Sequence, residues 1–263
     1  MGVKSLISSF DSALMGGSLK RIYNKLQERS LIKHRSDLFN YGFNGEYIKN
    51  NNSALNVLCD KYGSDKGEVS SDGNPYDWAS HNYADIYELM FRLRRNDVEL
   101  VLECGIGTNN PNLISTMGLD GKPGASMRLW RDFFPKAQII GIDIDSDMLF
   151  EEDRISTYYC DQTCSDSIEN FCELASLSPS SIDIIIDDGL HEFHAGKMLF
   201  EAMNKYLAFD GVYVIEDVIP SDYIPYKDYF AGIQDQFTIQ IFNLQRPNLS
   251  IGDNRLIIIR YTV

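Results

Sequence analysis

The stretch "SIDIIIDDGLHEFH", residues 181–194, ends a run of apolar residues with two adjacent aspartates, a glycine and two histidines. Near-continuous apolar runs are typical of parallel strands that are covered on both faces. The stretch "GVYVIEDV", residues 211–218, ends in the same way, with Glu216 and Asp217. Because parallel strands end at one edge of their sheet, the two acidic strand ends are predicted to share a site.

Similar apolar runs alternate with helical patterns along the chain. Strands are predicted over 98–106, 137–144, 154–161, 182–189 and 211–217, with helices over 125–134 and 194–209 between them. Two further strands, 237–244 and 255–263, are separated by a loop too short for a helical crossover, so they are predicted to pair antiparallel. The pattern predicts an α/β fold with a doubly wound, Rossmann-like, seven-stranded sheet whose last strand is antiparallel.

The first 55 residues have a different character. Residues 18–35 are locally basic, and Leu19, Ile22, Tyr23 and Leu26 recur at helical spacing. We therefore predict a helical N-terminal extension, 1–55, ahead of a main domain, 56–263. The extension is interpreted either as a helix on an anionic membrane surface or as one packed on the main domain or a partner subunit, which makes it a candidate homo-oligomer contact.

Composition restricts the classes of partner. The chain has 263 residues, a formal net charge of -14 and five cysteines without a paired framework. The negative charge disfavours nucleic acid, and the cysteine pattern favours a reducing, cytoplasmic location. The sequence shows neither a signal peptide nor an apolar run near the about 18 residues that a membrane span needs.

A glycine-containing turn follows the first predicted strand. In "LECGIGTNN", Gly105 and Gly107 allow the backbone to turn beside a bound nucleoside, but the third glycine of a dinucleotide fingerprint is replaced by Asn110. The second strand ends in Asp143, which is placed to accept both ribose hydroxyls. The long connection between them contains an Asn-, Gly- and Pro-rich loop, 108–124, which is predicted to be a substrate lid.

The acidic strand ends indicate a metal. Neighbouring carboxylates repel one another unless they take up protons or bind a cation. Successive strand residues face opposite ways, so we predict Asp188, Glu216 and Asp217 as ligands, with Asp187 turned away. Oxygen ligands favour Mg²⁺ or Mn²⁺ over zinc. His191 is predicted to be the general base that acts beside Asp188 on a metal-bound hydroxyl.

Several segments together resemble a known family. In order, "LECGIG", "IIGIDID", "YYCDQTC", "IDIIIDDGLH" and "GVYVIEDV" resemble class I S-adenosylmethionine-dependent methyltransferases. The chain is more narrowly similar to the metal-dependent sugar O-methyltransferases of macrolide sugars (mycinamicin and macrocin types) and of bacterial surface polysaccharides. The segments "KYGSDKG", "HNYADIY" and "GASMRLWRDFFP" share this likeness, which covers about residues 56–263 and not the first 55.

The resemblance implies a cofactor, S-adenosylmethionine, and residues that bind it. It implies that Glu103 and the Gly105–Gly107 backbone face the methionine part, that Asp143 holds the ribose, and that Asp161 and Gln162 lie by the adenine. Two segments would close over cofactor and acceptor: a polar loop with Ser64 and Lys66, and a helix before the first strand that is predicted to include His81, Tyr83 and Tyr87. The helix could instead be an ordinary amphipathic helix. Arg128 would either hold the cofactor carboxylate or help to pack its helix against the domain.

The expected function is S-adenosylmethionine- and divalent-metal-dependent O-methylation of a sugar hydroxyl. The acceptor would be a small-molecule sugar or nucleotide-sugar, or a polysaccharide sugar such as a capsular heptose. A catechol-type O-methyltransferase, an NAD-dependent sugar oxidoreductase or epimerase, and a binding module without catalysis remain alternatives. Polar walls around the acceptor would favour a sugar, and aromatic walls a catechol.

Overall fold

A computed structural model describes residues 51–69, 74–76, 78–245 and 252–262. The predicted N-terminal extension falls outside these residues except for its last five positions. The helix of that extension, its oligomer contact and the domain boundary at residue 55 therefore stay predictions.

Helices and strands alternate along the described chain. The helices are α1 (Ala54–Tyr62), α2 (Tyr83–Phe91), α3 (Ala125–Phe133), α4 (Ser165–Leu174), α5 (Phe193–Met203) and α6 (Pro220–Ala231). The strands are β1 (Leu100–Cys104), β2 (Gln138–Asp143), β3 (Glu151–Glu152), β4 (Ile155–Tyr159), β5 (Ile182–Asp187), β6 (Leu207–Ile215), β7 (Phe237–Asn243) and β8 (Arg255–Tyr261). None of the helices in the described ranges is long and apolar enough to cross a bilayer.

The strands form one sheet in the order β3-β4-β2-β1-β5-β6-β8-β7. Strands β4, β2, β1, β5 and β6 are parallel, and β8 pairs antiparallel with both β6 and β7. This confirms the predicted α/β class and the antiparallel last strand. The sheet has one strand more than predicted, because the two-residue β3 adds an antiparallel edge to β4.

One predicted helix was too long. The pattern over 194–209 predicts a single helix, but α5 ends at Met203, and a 3-10 turn over Asn204–Tyr206 leads into β6. Leu207 already pairs with Ile182 of β5. The last residues of the predicted helix thus pair with β5, because strand pairing overrides the local helical pattern.

Each face of the sheet is covered by helices. One apolar core includes α1, α2 and α3 side chains such as Leu55, Phe91 and Trp130. The other includes Phe171, Leu199 and Phe230 from α4, α5 and α6. Burial on both faces explains why the central strands are near-continuously apolar and why their polar residues are concentrated at the strand ends.

Candidate active site

The acidic ends of β5 and β6 lie side by side. Asp187 pairs in parallel with Ile215, so the residues that follow them leave the sheet at the same edge. The Glu216 N–H donates to the Asp187 carbonyl at 2.9 Å, and the Asp188 N–H donates to the Cys104 carbonyl of β1 at 2.9 Å. These backbone bonds hold the acidic residues beside the glycine turn that follows β1.

Asp188, His191 and Asp217 form one compact cluster. The His191 Nε2 lies 3.2 Å from an Asp188 carboxylate oxygen and 3.7 Å from an Asp217 oxygen. One ligand atom from each of the three residues lies within 4.8 Å of the others. His191 and Asp217 have positive φ angles of 59° and 51°. Such conformations are uncommon outside glycine and are enriched at functional sites.

Glu216 is placed differently from the prediction. Its side chain is buried and faces inward, where one carboxylate oxygen lies 2.5 Å from the Lys66 ammonium. The same ammonium lies 2.6 Å from Asp188 and 3.1 Å from Glu103. Glu216 therefore lies behind the Asp188–Asp217 pair, against a lysine, and does not line the cavity that those two residues face.

Two tyrosines of α2 hold the Glu216 and Asp217 carboxylates in place. The Tyr83 hydroxyl donates to Asp217 at 2.6 Å, and the Tyr87 hydroxyl donates to Glu216. Residues four apart lie on one face of a helix, so α2 presents both hydroxyls to the end of β6. In the structure both tyrosines thus orient the carboxylates.

Burial and neighbouring charges together shift the pKa values of the acidic residues and of His191. Burial lowers the pKa of His191, but the Asp217 and Asp188 carboxylates outweigh it and raise that pKa to about 10. Burial raises the pKa of Asp188, but Lys66 and His191 outweigh it and lower that pKa to about 2. For Glu216, burial prevails over Lys66, and the pKa lies well above its usual range. The site has an excess of buried carboxylates, which is a condition that favours binding a cation.

His81 and Asp253 extend the cluster. The His81 Nε2 lies 3.3 Å from Asp253 and 3.5 Å from Asp217. His81 precedes α2, whose N-cap is Asn82, so the expectation that it lies on the helix was wrong. Asp253 was not predicted. It lies in a Gly-Asp-Asn turn before β8, and only the folded sheet brings that turn to the ends of β5 and β6.

The cluster opens into a cavity of about 280 Å³. Most of the predicted site residues line it: Ser64, Lys66, His81, Gly105, Gly107, Asp143, Asp188, His191 and Asp217. Part of the 108–124 loop also lines it, including Ile114 and Met117. The loop thus borders the site, and its movement as a lid stays a prediction.

A second cavity, of about 320 Å³, lies beyond the glycine turn. Its lining includes the predicted adenine residues Asp161 and Gln162, and it shares Gly105, Asp143 and Ile114 with the first cavity. The Asp161 carboxylate accepts from Thr163 within its own turn. Gln162 donates to Asp187 and accepts from the Leu190 N–H at 2.7 Å, so its amide connects the ends of β4 and β5.

Asp143 holds the glycine turn. Its carboxylate accepts from the Ile106 N–H at 2.9 Å and from the Asp145 N–H at 2.8 Å. Gly105 and Gly107 have φ values of +89° and +86°, and a Cβ on Gly107 would lie 2.1 Å from the Met117 sulfur. The turn therefore requires both glycines. Asp143 borders both cavities, where its predicted ribose role stays a prediction.

Two predicted cofactor residues do not line either cavity within the described part of the chain. Arg128 forms a two-pronged ion pair with Glu152, which fixes its guanidinium on the outside of α3. Glu103 is fully buried, and its carboxylate accepts from the Trp130 indole N–H beside Lys66. Their predicted contacts with the cofactor stay predictions.

The residues fit the cofactors that the sequence implies. The carboxylate oxygens of Asp188 and Asp217 suit a hard divalent cation such as Mg²⁺ or Mn²⁺, and the His191 imidazole lies beside them. The glycine turn leaves its backbone open to two adjoining cavities, at the strand ends where nucleosides bind in open α/β sheets.

Comparison with known proteins supports this interpretation. No protein-family model matches the chain. It is 29% identical to a demethylmacrocin O-methyltransferase of Streptomyces fradiae over 82% of this chain and 53% of the relative. It is 30% identical to an 8-demethyl-8-alpha-L-rhamnosyl tetracenomycin-C 2'-O-methyltransferase of Streptomyces olivaceus over 69% of this chain and 41% of the relative. The chain thus spans about half the length of these relatives, or less.

A solved structure shows the same fold. The MycE methyltransferase of the mycinamycin pathway, in complex with Mg, SAH and mycinamycin VI, superposes with a TM-score of 0.58 at 23% identity, over 79% of this chain and 54% of that chain. The resemblance to the macrolide group is confirmed: this chain has the class I methyltransferase fold, and its homologues are sugar O-methyltransferases of the macrocin and tetracenomycin types. The resemblance to surface-polysaccharide methyltransferases stays a prediction.

Proposed function

We propose that this protein is an S-adenosylmethionine- and divalent-metal-dependent O-methyltransferase that methylates a hydroxyl of a sugar. The observation that carries the proposal is the Asp188–His191–Asp217 cluster, which faces a cavity that also contains the glycine turn. A cation site, a base and a nucleoside-binding turn in one cavity are the parts that such a transfer needs.

The walls of the cavity favour a sugar over a catechol. Hydroxyl and charged side chains predominate, among them Ser64, Ser115, Thr116, Lys122 and Ser126. The aromatic residues Tyr76 and Trp78 lie in the lining with them. A flat aromatic acceptor would favour a largely apolar slot, whereas an acceptor with several hydroxyls needs this many hydrogen-bonding partners.

When bound, S-adenosylmethionine would supply the methyl group and a divalent cation would acidify the acceptor hydroxyl. In this scheme a cation held by Asp188 and Asp217 would offset the carboxylate charge that raises the pKa of His191, and the neutral imidazole would then accept the hydroxyl proton at Nε2. Asp188 and Asp217 are the side chains that would hold the cation. Lys66 and Tyr87 fix Glu216 behind them and so keep the acidic edge rigid.

The acceptor is proposed to be a small-molecule or nucleotide-linked sugar, or a polysaccharide sugar, with capsular heptose among the candidates. One relative is named as a 2'-O-methyltransferase of a rhamnosyl tetracenomycin-C, which supports a sugar acceptor. A cytoplasmic location is also proposed, and the five cysteines, all without disulfides, support it.

The test is transfer of labelled methyl from S-adenosylmethionine to methyl α-L-rhamnopyranoside, a nucleotide-linked sugar or catechol. We expect methylation of a sugar that chelator abolishes and added Mg²⁺ restores. Turnover that is indifferent to chelator would exclude the metal role, and transfer to catechol alone would establish the catechol alternative. Binding of NADH in place of S-adenosylmethionine would favour the oxidoreductase or epimerase.

A further inference from the structure

The cavity that contains the acidic cluster has an aromatic side chain at its rim. Trp78 lines this cavity, and 38% of its surface is exposed. The tyrosine beside it, Tyr76, is buried and stacks on the indole with ring centroids 5.0 Å apart and an interplanar angle of 29°. The buried Tyr76 ring thus supports the Trp78 indole, and the indole stays accessible from the cavity.

Hydrogen bonds hold the indole in one orientation. The Trp78 Nε1–H donates to the Asp65 carboxylate at 2.8 Å, and the Asn74 amide donates to the Trp78 carbonyl at 2.6 Å. The Tyr76 hydroxyl donates to the Gly63 carbonyl at 2.5 Å. Because both rings are fixed before any ligand arrives, binding against them would lose little side-chain entropy.

The surroundings of the indole indicate the kind of ligand. Ser64, Asp65 and Lys122 line the cavity together with Trp78 and can donate to or accept from hydroxyl groups. A sugar ring has an apolar C–H face and a rim of hydroxyls. An exposed indole face next to hydrogen-bonding side chains matches both features at once.

We propose that Trp78 is an acceptor-binding residue on which the apolar face of the sugar ring stacks while its hydroxyls reach the Asp188–His191–Asp217 cluster. This inference rests on the proposed function and makes it more specific, because it assigns the rim of the cavity to the acceptor and leaves the glycine turn to the cofactor.

The composition of the chain gives a direct readout. It contains two tryptophans, and Trp130 is 1% exposed. Quenching of tryptophan fluorescence by acrylamide, which is uncharged and therefore not repelled by the acidic site, will report mainly on Trp78. We expect methyl α-L-rhamnopyranoside to protect the wild-type protein from quenching. In Trp78→Phe, the remaining emission should be weakly quenched with or without the glycoside.

Kinetics provide an independent readout. Trp78→Ala should raise the KM for the sugar acceptor about 3- to 10-fold, the range expected for loss of one aromatic contact, while the affinity for S-adenosylhomocysteine stays unchanged. Trp78→Phe should recover most of the acceptor affinity. Phe209→Ala, at an exposed aromatic residue outside both cavity linings, is the matched control and should leave both constants unchanged.

The outcomes separate this inference from the proposed function. Methyl transfer to the glycoside without protection of Trp78 would overturn the stacking site and leave the methyltransferase intact. Protection without transfer would support the stacking site and count against the proposed reaction. Protection by catechol and not by the glycoside, or a wild-type acceptor KM in a folded Trp78→Ala protein, would also overturn the inference.

Discussion

The backbone of Gly105 lies against the backbone of Asp188: a Cβ added to Gly105 would lie 2.0 Å from the Asp188 carbonyl oxygen. The turn that follows β1 and the acidic end of β5 are therefore in direct contact. The proposed nucleoside-binding turn and the proposed cation site therefore share one wall, and we expect a change in either to affect the other.

This contact predicts the effect of an added methyl group. Gly105→Ala combines a positive φ with a backbone clash, whereas Gly118→Ala has a similar φ of +74° and open space around its Cβ. The positive φ should cost about 1–2 kcal/mol at either position. Gly105→Ala should lower the free energy of urea unfolding more than Gly118→Ala does. It should also weaken the binding of S-adenosylhomocysteine, measured by calorimetry. Equal losses in the two variants would contradict the contact.

Lys66 is predicted to be essential for folding stability. Its buried ammonium is the charge partner of Glu103, Asp188 and Glu216. Lys66→Met leaves buried carboxylates without a cation, and the free energy of unfolding should fall by about 3–5 kcal/mol.

The matched control is Lys61→Met, because Lys61 pairs with Asp132 but has a 54% exposed side chain. Lys61→Met should lower the free energy of unfolding by about 1 kcal/mol or less in the same urea titration. A Lys66→Met protein as stable as Lys61→Met would show that the buried charges are compensated in another way.

His191 is predicted to act in turnover and not in cofactor binding. His191→Ala should lower kcat about 10²- to 10⁴-fold, because the proton acceptor is lost. Its affinity for S-adenosylhomocysteine, measured by calorimetry, should be unchanged. His194→Ala, three residues along the chain at an exposed position, should keep wild-type kcat. Undiminished turnover of His191→Ala would remove this histidine from the mechanism.

Asp217 is predicted to bind the cation directly. Asp217→Asn keeps the shape of the side chain but removes a charge from the Asp188–His191–Asp217 cluster. The affinity for Mn²⁺, measured by electron paramagnetic resonance without S-adenosylmethionine, should fall by more than about tenfold. Asp210→Asn, whose exposed carboxylate pairs with Arg94, should bind Mn²⁺ like the wild type. Equal affinity in both variants would place the cation elsewhere.

The contact between α1 and α3 predicts an acid-sensitive contribution to stability. Partial burial raises the pKa of Asp132, but hydrogen bonds from Lys61, Tyr62 and Arg131 outweigh it and lower that pKa to about 2. The unfolded chain therefore takes up the proton first, near its ordinary pKa of 3.8. The stabilisation is present above that pH and should disappear as the pH falls from about 4 to about 2.

The measurement is the free energy of urea unfolding across this pH range. Wild type should lose more stability than Asp132→Asn, which lacks the titrating group. Asp153→Asn is the control, because that carboxylate is 90% exposed and lies 3.9 Å from Arg154. If Asp132→Asn shows the full wild-type slope, the low pKa of Asp132 is wrong.

The positions of the central strands could be predicted from the sequence because they depend on local patterns. Residues 182–187 are apolar enough to be buried on both faces, and the runs around them alternate with helices, so the parallel sheet and its antiparallel end follow. The two-residue β3 was missed because so short a strand has no periodicity. The end of α5 was misplaced because pairing of Leu207 with Ile182 is a long-range effect.

The sequence by itself determined the parallel centre of the sheet and the edge at which Asp188, His191 and Asp217 meet, since neighbouring parallel strands end at the same edge. Only the tertiary structure decided how the charges are divided: Lys66, more than a hundred residues upstream, holds Glu216 inward, and Asp253 takes a place at the cavity. The reason is that buried charges are paired by whichever side chains the folded chain brings within a few ångströms, and sequence separation carries no information about that distance.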